Sequence, residues 1–198
     1  MSMRVPGEAE DVARLSRALA RRADAEGLLD VAWDEVNSPF GTLAVCATAT
    51  GVVRVVLPNE DRHAALAAIA ALVSPRLLRA PDRLDAVRAE LGEYFAGRRR
   101  SFDVPVDWRL TAGFRRLALA AVAEVPYGST ASYRDIAGAA GNPRATRAAG
   151  SACATNPTPI VVPCHRVLRA DGALGGYLGG PAMKASLLEL ERGRERAA

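Results

Sequence analysis

Three short apolar runs near the start of the chain, DVAWDEV, TLAVCAT and VVRVVL, constrain the fold more than any other feature. Each has the length and β-branched content of a strand, and only the turn segment NSPFG and the pair Thr50-Gly51 separate them. Connections that short cannot contain a crossover helix, so the three runs are expected to form an antiparallel sheet. Cys46 falls inside the middle run, where a buried structural thiol is expected.

Around this sheet the pattern is helical. Residues 8–26, EAEDVARLSRALARRADAE, place Val12, Leu15, Leu19 and Ala23 on one helical face with Gly27 as a stop, and read as an N-terminal extension. Residues 60–73 and 81–96 read as two more helices, the second opening at Pro81 and closing before Gly97. The trio Arg98 to Arg100 then precedes SFDVPVDW, which Pro105 marks as an edge strand or a linker. These signals divide the chain into an extension at 1–27, an α/β domain at 28–107 and a second domain at 108–198.

That second domain is mostly helical. A helix over 111–124 ends before VPYG, Ser129 or Thr130 is expected to cap ASYRDIAGAA, and Gly141-Asn142-Pro143 breaks the chain before RATRAAGSACA. Two short helices around a tight glycine-containing turn suggest a helix-turn-helix. Beyond Arg144 and Arg147 the second of them carries only Ala, Gly, Ser, Thr and one Cys, so its surface can approach another surface closely. A minor groove about 6 Å wide excludes bulky side chains but admits a single long cation at its mouth. Close helix packing is the competing reading of the same composition.

Charge is distributed unevenly. Residues 1–107 hold 14 Arg against 16 Asp plus Glu, and residues 108–198 hold 12 Lys plus Arg against 6 Asp plus Glu, so the halves carry −2 and +6. The basic half suits a polyanion partner, though a solvated Arg-rich surface would read the same way. Charges recur every few positions in the first thirty residues, which excludes a signal peptide's apolar region, and no run of 18 apolar residues follows, so a cytoplasmic protein is expected. Cysteines at 46, 153 and 164 show no CxxC spacing, and reduced thiols are expected. His63 lies in a helical stretch with no second ligand nearby and reads as a solvated residue.

Residues 159–172, PIVVPCHRVLRADG, place Cys164 and His165 side by side after four residues that read as a buried strand. A thiol with a pKa of about 8.5 supplies few thiolates at neutral pH and needs a base. In an extended segment adjacent side chains point to opposite faces, so a bridging water would have to relay the proton. Glu189 and Glu191 in the last helix could orient the imidazole.

NPTPIVVPCHRVLRADGALGGYLGG, with VPYGSTASYRDIAGAAGNPRATRAAG before it and KASLLELE after it, closely resembles the O6-alkylguanine-DNA alkyltransferases, a DNA-repair family. The resemblance is dense over residues 111–191, and residues 30–107 match only in layout. It implies an α/β (α+β) protein with an N-terminal ribonuclease-H-like antiparallel sheet and a C-terminal helical domain bearing a winged helix-turn-helix. It also implies a single-turnover methyltransferase acting on double-stranded DNA with alkylated guanine, monomeric in solution and associated with the nucleoid. By the same resemblance Cys164 is the alkyl acceptor and His165 with Glu191 a water-bridged relay. Asn156 holds the turn before the acceptor, and Tyr133 rotates the target nucleotide out and donates to the departing guanine. Arg147 fills the gap in the base stack, with Arg144, Ala148 and Ser151 on the DNA-facing helix, while Pro159, Val167, Tyr177 and Leu178 line the base pocket. Leu178 departs from the Ser frequent in the family, leaving only a backbone amide for the guanine oxygen. Zinc in some members needs N-terminal Cys and His ligands, and with Cys46 and His63 alone in that half, no metal and no other cofactor is expected. A helix-turn-helix regulator without chemistry and a cysteine hydrolase are the rival readings.

Overall fold

The computed structural model describes residues 8–195; the first seven residues of the extension and the last three of the chain lie outside it. Strands β1 (Val31–Ser38), β2 (Gly41–Thr48) and β3 (Gly51–Val56) form the expected antiparallel meander, with Trp33 opposite Cys46 and Val45 opposite Val55. A strand the sequence pattern did not reveal, β4 (Leu77–Arg79), pairs parallel with β1, so the sheet order is β3-β2-β1-β4. Three residues are too few for a periodicity to register.

Alternation along the strands serves two layers. Val31, Cys46 and Val53 face Ile69 of helix α2 (Arg62–Leu72), and Ala32, Val36, Leu43, Val45 and Val55 face Leu84, Val87, Leu91 and Tyr94 around helix α3 (Asp85–Phe95). The first turn at Pro81–Leu84 is 3-10 rather than α, as suits a proline opening. Burial pushes the Cys46 thiol up to about 12 against the opposing charge of Arg54, which makes it inert. His63 is exposed on α2.

Helix α1 (Glu8–Ala25) corrects one expectation. Of the apolar face only Ala23 is buried, joined by Ala20, whereas Val12, Leu15 and Leu19 are 58%, 64% and 59% exposed. Among the described residues the helix meets the domain through its last turns, where alanines permit close approach to Ala80 and salt bridges from Arg21 to Asp82 and Arg83 to Asp24 flank the contact.

The segment at Pro105 is a linker with a single bridge, Val106 to Val52. Val52 N donates to Pro105 O at 2.8 Å and Asp107 N to Val52 O at 2.9 Å, tying the linker to the start of β3. Gly51 is required there, since its φ is +148° and a Cβ would collide with the Pro105 carbonyl.

In the second half, helices α4 (Gly113–Ala123), α5 (Tyr133–Ala139) and α6 (Thr146–Ala154) enclose a core that includes Leu119, Val122, Ile136, Ala149, Cys153 and Val162. Short strands β5 (Ala131–Ser132) and β6 (Val167–Leu168) pair beside it, and α7 (Gly180–Glu195) closes the chain. The cap of α5 is Ser132, not Ser129 or Thr130, because residues 131–132 are drawn into β5 first. Ser132 Oγ accepts from Asp135 N while Asp135 Oδ2 accepts from Ser132 N, a reciprocal capping box. Ile160, Val161, Met183 and Leu187 pack into the sheet's α3-side core, so the two domains share one apolar interior. No helix among the described residues is long and apolar enough to cross a membrane.

Candidate active site

Residues 159–162 are not the strand expected of them. Pro159 and Val162 bridge each other across a tight turn, and Ile160 takes φ +77°, a conformation β-branched residues rarely adopt. Asn156, fully buried, holds this turn from inside. Its Oδ1 accepts from Thr158 N at 3.0 Å, and its Nδ2 donates to Val162 O at 2.8 Å and to Cys164 Sγ at 3.2 Å. The run of apolar residues reflects burial on all sides and not extension, a case that periodicity alone cannot separate.

Cys164, His165 and Arg166 follow as one turn of 3-10 helix, all buried. Burial pushes the Cys164 thiol up to about 11, opposed by the Asn156 hydrogen bond and the charge of Lys184. Sulfur is therefore protonated at rest, and a nucleophilic step needs a base. His165 is the next residue. Its Nε2–H donates to Glu191 Oε1 at 2.9 Å, which leaves Nδ1 as the unprotonated nitrogen, buried and without a hydrogen-bond partner in the protein. Burial lowers the imidazole's pKa against the pull of Glu191, with Arg166 and Lys184 adding to the lowering, so the ring is neutral.

Glu191 lies on α7, fully buried, whereas Glu189 is exposed. Burial would raise its carboxyl, but hydrogen bonds from His165 and Arg166 outweigh that and hold it down to about 2. Arg166 Nε reaches Oε2 at 2.9 Å and Nη2 reaches Oε1 at 3.0 Å, Gly128 N reaches Oε2 at 3.1 Å, and the Tyr94 hydroxyl donates to Oε1 at 2.7 Å.

Three members of this cluster escaped the sequence reading. Arg166 sits inside the quoted PCHRV core yet carries no lone signal in an Arg-rich chain. Lys184 had one: it is the chain's single lysine against 25 arginines. Fully buried, its ammonium donates to the carbonyls of Val167 at 2.6 Å, Leu174, and Gly176 at 3.4 Å, clasping the loop that leads to Tyr177. Tyr94 looks in sequence like any core aromatic.

Arg144 lies in the turn before α6 and not on the helix as expected, and is exposed. On α6, Arg147, Ala148 and Ser151 are exposed while Ala149, Ala152 and Cys153 turn into the core, so the sparsely decorated face is the outer one. Tyr133, half-buried at the start of α5, lies against Gly150 and Gly175; a Cβ on Gly175 would come within 2.9 Å of its hydroxyl. Pro159 and Val167 are buried, and the Tyr177 ring stands edge-on to His165 at 6.3 Å with its hydroxyl buried and unpartnered. Leu178 packs on the core shared with the sheet, and its carbonyl accepts from Asn59 Nδ2 at 2.9 Å.

Fold and site together define a class: a two-domain protein that sets a buried cysteine, with a carboxylate-bonded histidine next to it in the chain, behind a helix-turn-helix surface. Residues 31–108 match the ribonuclease-like domain, and residues 113–193 the DNA-binding domain, of 6-O-methylguanine DNA methyltransferase. The chain belongs to that methyltransferase family.

Its relatives agree. The constitutive methylated-DNA–protein-cysteine methyltransferase of Bacillus subtilis is 36% identical over 157 residues, 79% of this chain and 92% of that one. The Mycobacterium tuberculosis protein of that name is 48% identical over 117 residues, 59% of this chain and 70% of its own. The inducible Bacillus subtilis protein is 45% identical over 111 residues, 56% of this chain and 62% of that relative's length. Among solved structures, the Mycobacterium tuberculosis O6-methylguanine methyltransferase superposes with TM-score 0.72 at 34% identity, covering 83% of this chain and 94% of that one. A structure titled as Mycobacterium tuberculosis OGT in complex with DNA gives the same score and identity over 82% and 94%.

Proposed function

We propose that this chain repairs duplex DNA by transferring an alkyl group from O6 of guanine, or O4 of thymine, to Cys164 Sγ, once and irreversibly. The observation that carries this reading is the pair of contacts Asn156–Cys164 and His165–Glu191, which hold a buried thiol and, on the next residue, an imidazole whose second nitrogen is buried and free. Transfer needs the lesion out of the stack, at a cost of a few kcal/mol that is smaller for a badly paired base. Arg147 would enter the vacated space from the exposed face of α6, and Tyr133 would turn the nucleotide towards the loop of Tyr177.

The thiol proton passes through water to His165 Nδ1, and Glu191 stabilises the resulting imidazolium. Sulfur attacks the alkyl carbon, an S–C bond forms as the C–O bond breaks, and the electron pair leaves on the guanine oxygen. Tyr133 then donates a proton to the ring nitrogen of the departing base. A thioether, unlike a thioester, is not readily hydrolysed, so no second turnover follows. Leu178 offers no hydroxyl to the guanine oxygen, and with its side chain packed on the shared core the backbone serves that atom. The protein acts as a monomer in the cytoplasm, at the nucleoid.

Arg147→Ala tests the reading at the DNA face. Because Arg147 acts on the stack and not on sulfur, the variant is expected to lose about tenfold or more of its rate on alkylated duplex, within the few kcal/mol that extrusion costs. Its rate with free O6-methylguanine should be unchanged. Equal loss on both substrates would place Arg147 in folding or in the pocket instead.

A further inference from the structure

The shortest hydrogen bond that Glu191 Oε1 accepts comes from the other domain. Tyr94 Oη donates to it at 2.7 Å, against 2.9 Å from His165 Nε2 and 3.0 Å from Arg166 Nη2, and lies 3.4 Å from His165 Nε2 itself. The Tyr94 ring is fully buried and held by Phe102 at 5.4 Å, Phe95 at 5.5 Å and Tyr127 at 6.2 Å, so the direction of its hydroxyl is fixed. Burial and the charge of Glu191 push the phenol well above its ordinary range, which makes it a permanent donor to the carboxylate.

Resting on the alkyl-transfer reading, we propose that Tyr94 of the ribonuclease-like domain is a positioning residue for the reaction. Its hydroxyl shares Glu191 Oε1 with His165 Nε2–H and so keeps the imidazole neutral, with Nδ1 free to take the thiol proton.

The groups that face His165 give this contact its effect. Glu191 on α7 is the one anion among them; Arg166 in the 3-10 turn and Lys184 on α7 oppose a charged ring, and the Tyr177 ring and the Tyr94 hydroxyl also lie against it. Every donor on Oε1 spreads the negative charge that would otherwise stabilise imidazolium. Without the Tyr94 hydroxyl, Glu191 attracts a proton onto His165 more strongly, and an imidazole already charged cannot act as the base.

Tyr94→Phe, which keeps the ring and deletes one oxygen, tests this. Transfer from duplex DNA bearing labelled O6-methylguanine would be followed across pH for the wild-type protein and the variant in parallel. The acid limb of the rate profile is expected to move up by about 0.5–1 pH unit, giving a loss of about threefold or more near pH 6 and less than about twofold near pH 8. Labelling at completion should be unchanged. Phe40→Leu, which disturbs the same core through Phe95 at 6.1 Å without removing a ring that holds Tyr94, should leave the limb in place. A loss independent of pH, or no change, would overturn the inference while wild-type labelling still supported the transfer reading; absence of labelling in the wild type would sink that reading itself. Should Tyr94→Phe not fold, nitrogen NMR of His165 in the wild-type protein decides. A neutral ring protonated at Nε2 near pH 7 is expected, and imidazolium there overturns the proposal.

Discussion

Cys164→Ala is expected to transfer no alkyl group while binding duplex DNA with near wild-type affinity. On the proposed reading, binding rests on phosphate contacts and on the exposed face of α6, neither of which involves the sulfur. The substitution is mild structurally, because alanine fills most of the buried thiol's space and Asn156 keeps its bonds to Val162 O and Thr158 N. Folding should therefore change by no more than about 1 kcal/mol. Both quantities can be read on one preparation, with label transfer followed on a gel and DNA affinity by fluorescence anisotropy. Label transferred by the variant would remove Cys164 from the acceptor role, and DNA affinity lost in step would mean that the turn at 159–164 shapes the DNA surface as well.

The second large effect belongs to Glu191. Glu191→Ala strips the buried Arg166 guanidinium of its bidentate partner and leaves Tyr94 Oη, His165 Nε2 and Gly128 N without their acceptor. Breaking a buried ion pair from one side costs about 3–5 kcal/mol, which lowers the melting temperature by roughly 10 °C in a chain of this size. Transfer should also fall by a larger factor than in any variant discussed except Cys164→Ala, since His165 loses the group that fixes its tautomer.

The effect has a pH signature. Glu191 is held down to about 2 from its ordinary 4.5, so its stabilising contribution is fully present above 4.5 and is lost as pH falls through that range towards 2. The gap in melting temperature between wild type and Glu191→Ala should accordingly be widest near neutrality and narrow below about pH 4. A gap constant from pH 7 to pH 3 would show that Glu191 contributes by packing and not by charge.

What the sequence revealed follows from which physical signals it carries. The β1–β3 meander was legible because alternation and short turns leave a pattern in one dimension. Strand β4 was not, for its pairing with β1 crosses more than forty positions and its three residues carry no period of their own. The turn at 159–162 was misread for a related cause: PIVV is apolar because it is enclosed on all sides, and enclosure looks the same whether the backbone is extended or folded back on Asn156. In α1, composition announced an amphipathic helix correctly, but amphipathicity does not say how much of the apolar face finds a surface to cover it.

At the site, the residues that the structure joins as Asn156–Cys164 and His165–Glu191 lie in the NPTPI and PCHRV motifs and the KASLLELE helix, where the sequence pointed to them. Tyr94 was not, because its significance lies in a contact 97 residues distant, and nothing within LGEYF distinguishes a caged phenol with a partner from one without. Arg166 and Lys184 stand between these cases: both lie inside the matched segments, yet their roles emerge only once the carboxylate and the loop carbonyls they bind are in place.

The central claim, that one buried cysteine accepts one alkyl group from DNA, is tested most directly by locating the label. Wild-type protein would be incubated with excess duplex DNA carrying labelled O6-methylguanine, digested, and the modified peptide sequenced by mass spectrometry. One equivalent of methyl per chain is expected, all of it as S-methylcysteine at position 164, with restored guanine in the DNA. Label on another residue, or continued release of product beyond one equivalent, would contradict it.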